Sequence, residues 1–443
     1  MIQRRTVLQA AALAAATPFA PLSVLAQTTG GSGYRALVCL FMFGGNDANN
    51  LLVPTDDTRY GQYQRARPNL ALSRNALVPL APGGTPNGYG LHPAMAPMKP
   101  LFDAGQAALV ANVGPLMAPT TKQQMQSRSV PLPINLYSHS DQQAAWQSAL
   151  VDAPARNGWG GRLLERLVAS GTQNRGYCAV SVAGGNLWET GDRGLSPYRV
   201  SSSGDFGFDF YDPAGTDALS VAINGVLGEA RSDPFEQTWL NLMGRSIENQ
   251  RVLSGALDAA ALTTTFPNTG LGRQLQMAAR LIGARGALGL SRQCFFASIG
   301  GFDTHGDDQL QRQNELLGEI AGAVAAFHAA TVELGVAREV TLFTGSDFGR
   351  TFASNGAGSD HGWGAHQWAV GGAVRGGRIV GRFQELAIGG PDDVGQGVWI
   401  PSVALDQLGG ELARWFGADT ALIDEVFPRL RYFDRELGLM NFA

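Results

Sequence analysis

The sequence predicts an α/β fold in which helices cover both faces of a largely parallel sheet. Short apolar, β-branched or aromatic runs alternate with longer helical patterns along the chain. Several of these runs are almost continuously apolar, as expected for central strands that are buried on both faces. The 443 residues are 44% hydrophobic, which is enough for a large core.

The strands and helices are predicted from these two patterns. The apolar runs that predict strands are 35–43, 107–113, 177–183, 293–299 and 338–344. Helical spacing of apolar residues predicts helices over 160–169, 271–290 and 308–334. Residues 190–265 interrupt the alternation with a Gly/Ser/aromatic loop and a helical stretch over 235–257, which we interpret as an insertion packed over one end of the sheet.

The first 26 residues have the pattern of a twin-arginine export signal. Arg4 and Arg5 precede an alanine-rich apolar run that ends in a small-residue cleavage site at Ala26. The prediction is a signal peptide over 1–26 and one domain over 27–443, exported by the twin-arginine translocase and periplasmic or secreted. No second apolar stretch was expected to cross a bilayer, so no stable membrane anchor is predicted.

Charge and cysteine content exclude two classes of protein. After cleavage at Ala26 the formal charge is −6, from 31 basic and 37 acidic side chains, so a nucleic-acid partner is not expected. The three cysteines, Cys39, Cys178 and Cys294, lie in strand-like apolar runs. They are predicted to be buried small hydrophobic residues without a disulfide framework.

Three predicted strands are each followed by glycine and an acidic residue. Asp47 follows the first strand, Asp303 the fourth and Asp347 the fifth, with His305 and Arg350 in the same loops. Ligand groups gather at the carboxyl ends of parallel strands. An aspartate in such a place is also a common helix N-cap. Carboxylates together with imidazole suit one or two divalent cations, with Zn, Mn, Mg and Ca all possible.

The stretch GSDHGWGAHQ, residues 358–367, holds Asp360, His361 and His366 among three glycines. This spacing matches neither one helix face nor one strand face, so the stretch is predicted to be a loop that wraps its polar groups around a ligand. The alternative is a glycine-rich turn whose imidazoles bond to the backbone. The three residues are candidate metal ligands together with Asp47, Asp303, His305 and Asp347.

The candidate nucleophile lies in Tyr137-Ser-His-Ser-Asp-Gln-Gln, just before a helical pattern. A hydroxyl at a helix start faces backbone N–H groups, which favours Ser138 first and Ser140 second, although Ser138 is also a good N-cap. Ser138, His139 and Arg350 are the candidate catalytic residues. His92 is a weaker candidate, and His328 is predicted to be structural.

These residues fall in motifs by which the sequence resembles a bacterial family of exported proteins, domain-of-unknown-function family 1501, within the alkaline phosphatase and sulfatase-like superfamily. The motifs include FMFGGNDANNLLVP, YSHSDQQAAWQS, GGFDTH and FTGSDFGRTFASNGAGSDHGWGAHQWAVGGAVRGG. The resemblance covers nearly the whole mature chain. It implies an alkaline phosphatase-like domain, one or two divalent metals, and a hydroxyl nucleophile that attacks phosphate or sulfate esters.

The resemblance also places individual residues. It implies Asp47 as the first-strand ligand, Ser138 at the nucleophile helix, Asp303 with His305 as a ligand pair, Asp347 as a further ligand, and His361 or His366 as the last. The sequence departs from the superfamily at Phe348, where a histidine is usual, and in the Asp303–His305 spacing. No cysteine has the Cys-x-Pro-x-Arg formylglycine signature, which excludes a formylglycine sulfatase.

Two functions are therefore carried forward. The first is a metal-dependent hydrolase of a small anionic phosphate or sulfate ester, in which Ser138 or an activated water attacks while Arg350 and the cation offset charge. The second is a non-catalytic periplasmic or cell-surface binding or assembly protein that retains the fold. The cluster of acids and imidazoles favours the hydrolase, because buried carboxylates are costly without a compensating cation.

Overall fold

The structure is a computed structural model that describes residues 33–81, 83, 88–168, 175–202, 210–258 and 260–442. Residues 34–443 form one compact unit. The predicted signal peptide, residues 1–26, lies outside the described residues. The described residues contain twelve strands and twelve α-helices, numbered here in chain order.

A nine-stranded sheet organises the chain. Its strands are β1 (Arg35–Phe43), β5 (Ala107–Gly114), β6 (Ala179–Ser181), β7 (Tyr198–Arg199), β8 (Arg292–Gly300), β9 (Val340–Ser346), β10 (Ala365–Val370), β11 (Ile379–Val380) and β12 (Val403–Ala404). The order is β11-β5-β10-β9-β1-β8-β6-β7, with β12 also paired to β5. A small antiparallel sheet holds β2 (Leu52–Pro54), β3 (Val78–Leu80) and β4 (Tyr89–Leu91).

The centre of the large sheet is parallel. β1 pairs in parallel with β8 over its whole length and with β9 on its other side. β10 is the exception, because it runs antiparallel to both β9 and β5. The carboxyl ends of β1, β8 and β9 therefore lie side by side at one edge of the sheet.

The helices predicted over 160–169, 235–257 and 308–334 match the structure within two residues at each end, whereas the helix predicted over 271–290 ends at Gly283 and is followed by turns over 284–289. They are α1 (Ala48–Leu51), α2 (Asp57–Ala66), α3 (Lys99–Asp103), α4 (Lys122–Ser127), α5 (His139–Ser148), α6 (Trp159–Leu167), α7 (Ala218–Gly228), α8 (Pro234–Asp258), α9 (Gly270–Gly283), α10 (Gln309–Glu333), α11 (Leu405–Phe416) and α12 (Thr420–Val426). Short 3-10 helices span Arg74–Ala76, Pro93–Met98, Arg175–Cys178 and Leu430–Tyr432.

Burial confirms the predicted fold class. Every residue of β1 from Ala36 to Met42 is at most 3% exposed, so both faces of this strand are covered by other elements. The core joins residues of the sheet to residues of α6, α9, α10 and α11. The fold is an α/β fold with a mixed, mostly parallel sheet and helices around it.

The predicted strands 35–43, 107–113, 293–299 and 338–344 match β1, β5, β8 and β9 within two residues at each end. The prediction over 177–183 was too long. Residues up to Cys178 form a 3-10 turn, and the strand is limited to Ala179–Ser181. Cys39, Cys178 and Cys294 are buried and free, as predicted.

The predicted insertion corresponds mainly to the hairpin of α7 and α8. Only the carboxyl-terminal part of α8 enters the main core, through Leu253, Ala256 and Leu257. Most of α7 and the first half of α8 face solvent.

One described helix, α10, is long and apolar enough to cross a membrane by length and composition. In the structure it is a core helix, because it packs on α9 and on the 3-10 helix Pro93–Met98. His328, predicted to be structural, is buried within it.

Candidate metal centre

The loops after β1, β8 and β9 meet, as predicted from their glycines and aspartates. Gly44 and Gly45 have φ values of +112° and +84°. A Cβ on Gly44 would lie 2.4 Å from the Asp303 backbone nitrogen, and one on Gly45 would lie 2.5 Å from the Phe348 ring. Glycine at these two positions lets the first loop pack directly against the other two.

Two further segments bring histidines to this junction. His139 is the first residue of α5, and Gln143, one turn later, faces the same way because residues four apart share a helix face. The glycine-rich loop brings His361, which forms an antiparallel bridge with Arg350. A Cβ on Gly362 would lie 2.8 Å from the Arg350 backbone, which explains the glycine there.

Asp303 is the point on which three imidazoles converge. Its Oδ1 lies 3.0 Å from Nε2 of His305 and 3.5 Å from Nε2 of both His139 and His361. The Nε2 atoms of His305 and His361 are 3.1 Å apart. Four-coordinate zinc with bonds of 2.0–2.1 Å places neighbouring ligand atoms about 3.3 Å apart, which is close to these separations.

The second nitrogen of each imidazole is held by an acceptor. Nδ1 of His139 lies 2.6 Å from Oδ2 of Asp347. Nδ1 of His305 lies 3.1 Å from Oδ1 of Asp360, and Nδ1 of His361 lies 2.8 Å from the carbonyl oxygen of Tyr137. An acceptor at Nδ1 favours the Nδ1–H tautomer, and a neutral ring in that tautomer directs the lone pair of Nε2 toward Asp303.

His139, Asp303 and His361 offer ligand atoms that all lie within 4.8 Å of one another, and we call these three residues the donor cluster. Within the described residues, the buried Nε2 of His139 has no hydrogen-bond partner. An orphaned imidazole nitrogen beside a carboxylate fits a divalent cation. His305 lies at the edge of the cluster as an additional donor.

Arg350 connects the loops after β1, β8 and β9 through hydrogen bonds and also contacts the donor cluster. Its guanidinium donates to the carbonyl oxygens of Gly44, Gly45, Phe302 and Ser359. It also donates to Oδ1 of Asp303 at 2.7 Å and faces Nε2 of His305 at 3.2 Å. The expected contact between Arg350 and an ester is therefore corrected: the side chain is buried and its donors are already used.

The electrostatics of the cluster follow from these contacts. Burial acts to raise the pKa of Asp303, but the hydrogen bond from Arg350 and the positive charge of its guanidinium outweigh it and lower that pKa; His139 and His305 act in the same direction only when they are protonated. Burial, with positive neighbours, lowers the pKa of His361. Both shifts favour the metal-binding forms, a carboxylate and a neutral imidazole.

Asp47 does not join the donor cluster, which corrects its expected role as a ligand. Its buried carboxylate forms an ion pair with Arg67 and accepts hydrogen bonds from Gln309 at 2.7 Å and from Asn49 at 3.3 Å. Its charge is thus compensated by protein groups.

Asp347 and Asp360 act on the cluster through histidines. Oδ2 of Asp347 accepts from the Gly44 backbone, from His139 and from Gln143. Oδ1 of Asp360 contacts His305 and accepts from Asn355. In the contacts described, both carboxylates orient imidazoles. Oδ1 of Asp347 is buried and has no hydrogen-bond partner among the described residues, so the prediction that Asp347 and Asp360 are direct ligands stays a prediction.

His366 is also placed elsewhere. It lies in β10, where Nδ1 accepts the backbone N–H of Asn112 at 3.1 Å and the ring stacks on Phe383. Burial lowers its pKa to about 3. His92 caps the 3-10 helix Pro93–Met98 through its Nδ1. Neither belongs to the donor cluster.

Ser138 stands at the N-cap of α5, next to His139, and makes no side-chain capping bond. Its hydroxyl lies 3.3 Å from that of Ser140. Phe348 packs on the rings of His139 and His361, with centroids 4.8 and 4.5 Å away. It gives the cluster an apolar wall.

A cavity of about 470 Å³ opens beside the cluster. Its lining residues are Tyr137, His305, Thr351, Asp360, His361, Gly395, Gln396 and Val398. Gln396 has a left-handed backbone, φ +55°, between two glycines that Asp393 holds through their backbone N–H groups.

The sequence reasoning missed several residues of this site. Gln143 was detectable, because it lies four residues after His139 on a predicted helix. Arg67 and Gln309 carry no local signal, since they reach Asp47 only through the tertiary fold. Gln396, which lines the cavity, was not predicted because it lies in a loop outside the sequence motifs.

Comparison with known proteins places the chain in a family without an assigned activity. The family described as "Protein of unknown function (DUF1501)" matches residues 34–394. No curated protein matches the chain.

Two solved structures of sulfatases are similar at 10% sequence identity. The PsFucS1 sulfatase from Pseudoalteromonas sp. has a TM-score of 0.31 over 80% of this chain and 66% of its own. BT1596, a 2-O GAG sulfatase, has a TM-score of 0.28 over 79% of this chain and 66% of its own. The chain thus spans about two thirds of the length of both structures.

Proposed function

We propose that this chain, which belongs to the family described as "Protein of unknown function (DUF1501)", is an exported metal-dependent hydrolase of phosphate or sulfate esters. The observation that supports this most is the convergence of the Nε2 atoms of three histidines on the Asp303 carboxylate, where each ring in its neutral Nδ1–H tautomer carries a lone pair. Lone pairs that face one another repel, so this arrangement is favourable with a cation among them.

His139, Asp303 and His361 would hold the ion, with His305 as a fourth donor. A divalent ion there would act as a Lewis acid toward an ester oxygen. Asp347, Asp360 and the Tyr137 carbonyl keep the imidazoles in the required tautomer and orientation. Arg350 keeps the loops in place.

The cavity beside the cluster would receive the organic part of the ester. No lysine or arginine is among its described lining residues, so a neutral organic group is favoured over a polyanion. Ser138 is the proposed nucleophile, since its hydroxyl is next to His139 and free of a capping bond.

One observation favours the non-catalytic binding or assembly protein. Arg350 already pairs with Asp303 and faces His305, so protein groups partly neutralise the cluster. In that alternative, the same residues form a structural network and an ion adds nothing to turnover.

Metal content and turnover measured together test the proposal. Purified protein is expected to bind about one divalent ion per chain by inductively coupled plasma mass spectrometry. It is also expected to hydrolyse at least one of p-nitrophenyl phosphate, bis(p-nitrophenyl) phosphate and p-nitrophenyl sulfate. Asp303→Asn should lose both properties, whereas His328→Gln, which changes a buried histidine of α10, should keep both.

The outcomes separate the two functions. A bound ion without turnover of any of the three esters supports the binding protein. Failure of the wild-type protein to bind Zn²⁺ or Mn²⁺ after incubation with either ion overturns the proposed metal centre. Turnover that persists in Ser138→Ala removes Ser138 as the nucleophile and leaves the metal centre standing.

A further inference from the structure

The helical hairpin of α7 and α8 is the least buried apolar part of the described chain. α7 spans eleven residues without a charged side chain, and Ser220 is its only buried residue. A helix that is apolar on most sides normally packs against a neighbour. α7 packs on α8 along one side and is open to solvent on the other.

Five exposed apolar side chains form what we call the hairpin patch. Their exposed fractions are 47% for Leu219, 47% for Val226, 86% for Phe235, 56% for Trp239 and 58% for Leu242. In α8, residues 235, 239 and 242 share one helix face. At these fractions the patch presents roughly 500 Å² of apolar surface.

This area is close to what a specific protein interface requires. A standard interface buries about 800 Å² on each partner, of which about 60% is apolar, or roughly 500 Å². Contiguous apolar patches of this size on soluble proteins commonly mark contact sites. The hairpin patch is therefore large enough to form a stable interface.

The patch contains both a recess and a projection. An apolar groove of about 310 Å³ lies between the two helices, and Val226 and Trp239 are in its wall. A second groove shares Val226 and Trp239 and adds Phe235, which projects almost fully into solvent. The groove is large enough for an aromatic ring and lies next to an exposed aromatic ring. Two copies related by a two-fold axis could therefore each insert a ring into the groove of the other.

The charges of the hairpin argue against a lipid surface. Residues 210–258 carry seven carboxylates, three arginines and no lysine. Helices that lie on anionic membranes are rich in basic residues on their polar face. The acidic hairpin would be repelled by such a membrane, and Arg231, which lines the second groove, is already paired with Glu229.

We infer that the hairpin patch is the interface of a homodimer, in which Phe235 of each copy fills the groove between α7 and α8 of the other. α8 is anchored by its carboxyl-terminal turns in the main core, so the patch is held on a rigid element. The inference is independent of the proposed hydrolase activity.

Sedimentation velocity of the purified full chain at micromolar concentration tests the inference. The wild-type protein is expected to sediment as a dimer. Trp239→Glu and Phe235→Glu should each weaken dimerisation about 100-fold or more, because two charges enter the apolar interface. Ile388→Glu, at a residue that is 52% exposed outside the hairpin, should leave the dimer intact.

Circular dichroism melts show whether each variant is folded, and a variant that unfolds is replaced by Leu242→Glu. A wild-type protein that is monomeric at all micromolar concentrations overturns the inference. Dimers that persist in folded Trp239→Glu and Phe235→Glu also overturn it. Monomeric protein that cosediments with phosphatidylcholine vesicles, and loses this with Trp239→Glu, overturns it in favour of a lipid surface.

Discussion

In the candidate metal centre, the orientation of each imidazole ring depends on the group that accepts a hydrogen bond from its Nδ1 atom. His139, His305 and His361 all have an acceptor at Nδ1, which favours the tautomer with the proton on Nδ1. Ligand rings in protein metal sites usually have such a partner, and its loss weakens binding without removing a ligand. This gives a test that separates a metal centre from a polar network.

Asp347→Asn is predicted to lower the affinity for the metal about 10- to 100-fold while keeping all donor atoms. The amide accepts less strongly than the carboxylate and no longer fixes the proton on Nδ1 of His139. Competition with a chromophoric chelator measures the dissociation constant. Asp141→Asn, at an acid of the same helix that contacts Asn135, is the matched control. Equal affinities for wild type and Asp347→Asn would show that this contact does not orient a ligand.

Gln396→Gly is predicted to raise KM about 10-fold with little change in kcat, if Gln396 contacts the neutral part of the substrate. Glycine fits the positive φ, so the substitution removes the side chain without backbone strain. Arg128→Gly, at another non-glycine residue of positive φ, controls for the backbone change. Steady-state kinetics with the best of the three esters provide the measurement, and an unchanged KM argues against the contact.

At the scale of elements, the site depends on the junction of β9, β1 and β8 and on the helices that follow. Asp47 is the N-cap residue of α1, and Arg67 is the C-cap residue of α2. Their buried ion pair therefore ties one helix start to one helix end beneath the first loop. Because the pair is desolvated, removal of one partner leaves an uncompensated charge.

Arg67→Met is predicted to destabilise the protein by about 3–5 kcal/mol, and the double variant Asp47→Asn/Arg67→Met by less. Arg59→Met removes a half-exposed pair with Asp56 and should cost at most about 1 kcal/mol. Urea unfolding followed by circular dichroism compares the four proteins. A loss for Arg67→Met no larger than for Arg59→Met would contradict the assigned role of the pair.

At the scale of the whole molecule, the core contains a carboxyl group that the site does not use. Glu189 is fully buried; its Oε2 accepts from Asn186, and its Oε1 has no hydrogen-bond partner among the described residues. Burial raises the pKa of Glu189 to about 8. The folded protein therefore retains this proton at pH values where the unfolded chain has lost it.

This carboxyl group makes stability depend on pH. Its contribution is fully present below the pKa of the unfolded chain and is lost as pH rises toward about 8, because the unfolded state binds fewer protons. The slope is about 1.4 kcal/mol per pH unit for one proton. Glu189→Gln should remove the share of one proton from the slope between pH 5 and about 8 and leave the share of Asp406, whose pKa burial raises to about 7. Glu248→Gln, at an exposed residue, should leave the slope unchanged. Urea unfolding across this range measures it, and parallel curves for wild type and Glu189→Gln would contradict the assignment.

The sequence predicted the central strands well, because they are short, almost continuously apolar runs that are rich in β-branched and aromatic residues and are followed by glycine. It also predicted that the ends of β1, β8 and β9 meet, and that Asp303 and His361 lie there. It did not predict strand β10, because residues 358–367 were predicted to be a loop; Ala365, His366 and Gln367 belong to this antiparallel strand, where His366 is buried. The distinction between a ligand and a residue that orients a ligand depends on side-chain pairing across distant segments, which local patterns do not encode.

The donor cluster combines residues 139, 303 and 361, and His139 is oriented by a contact 208 positions away in the chain. These three residues come together only when helix α5, strand β8 and the loop that carries His361 are all packed in their native positions. Tight binding of a divalent ion would therefore indicate that the chain has folded completely. If the predicted twin-arginine signal directs export of the folded chain, the proposed ion would be bound before the chain crosses the membrane.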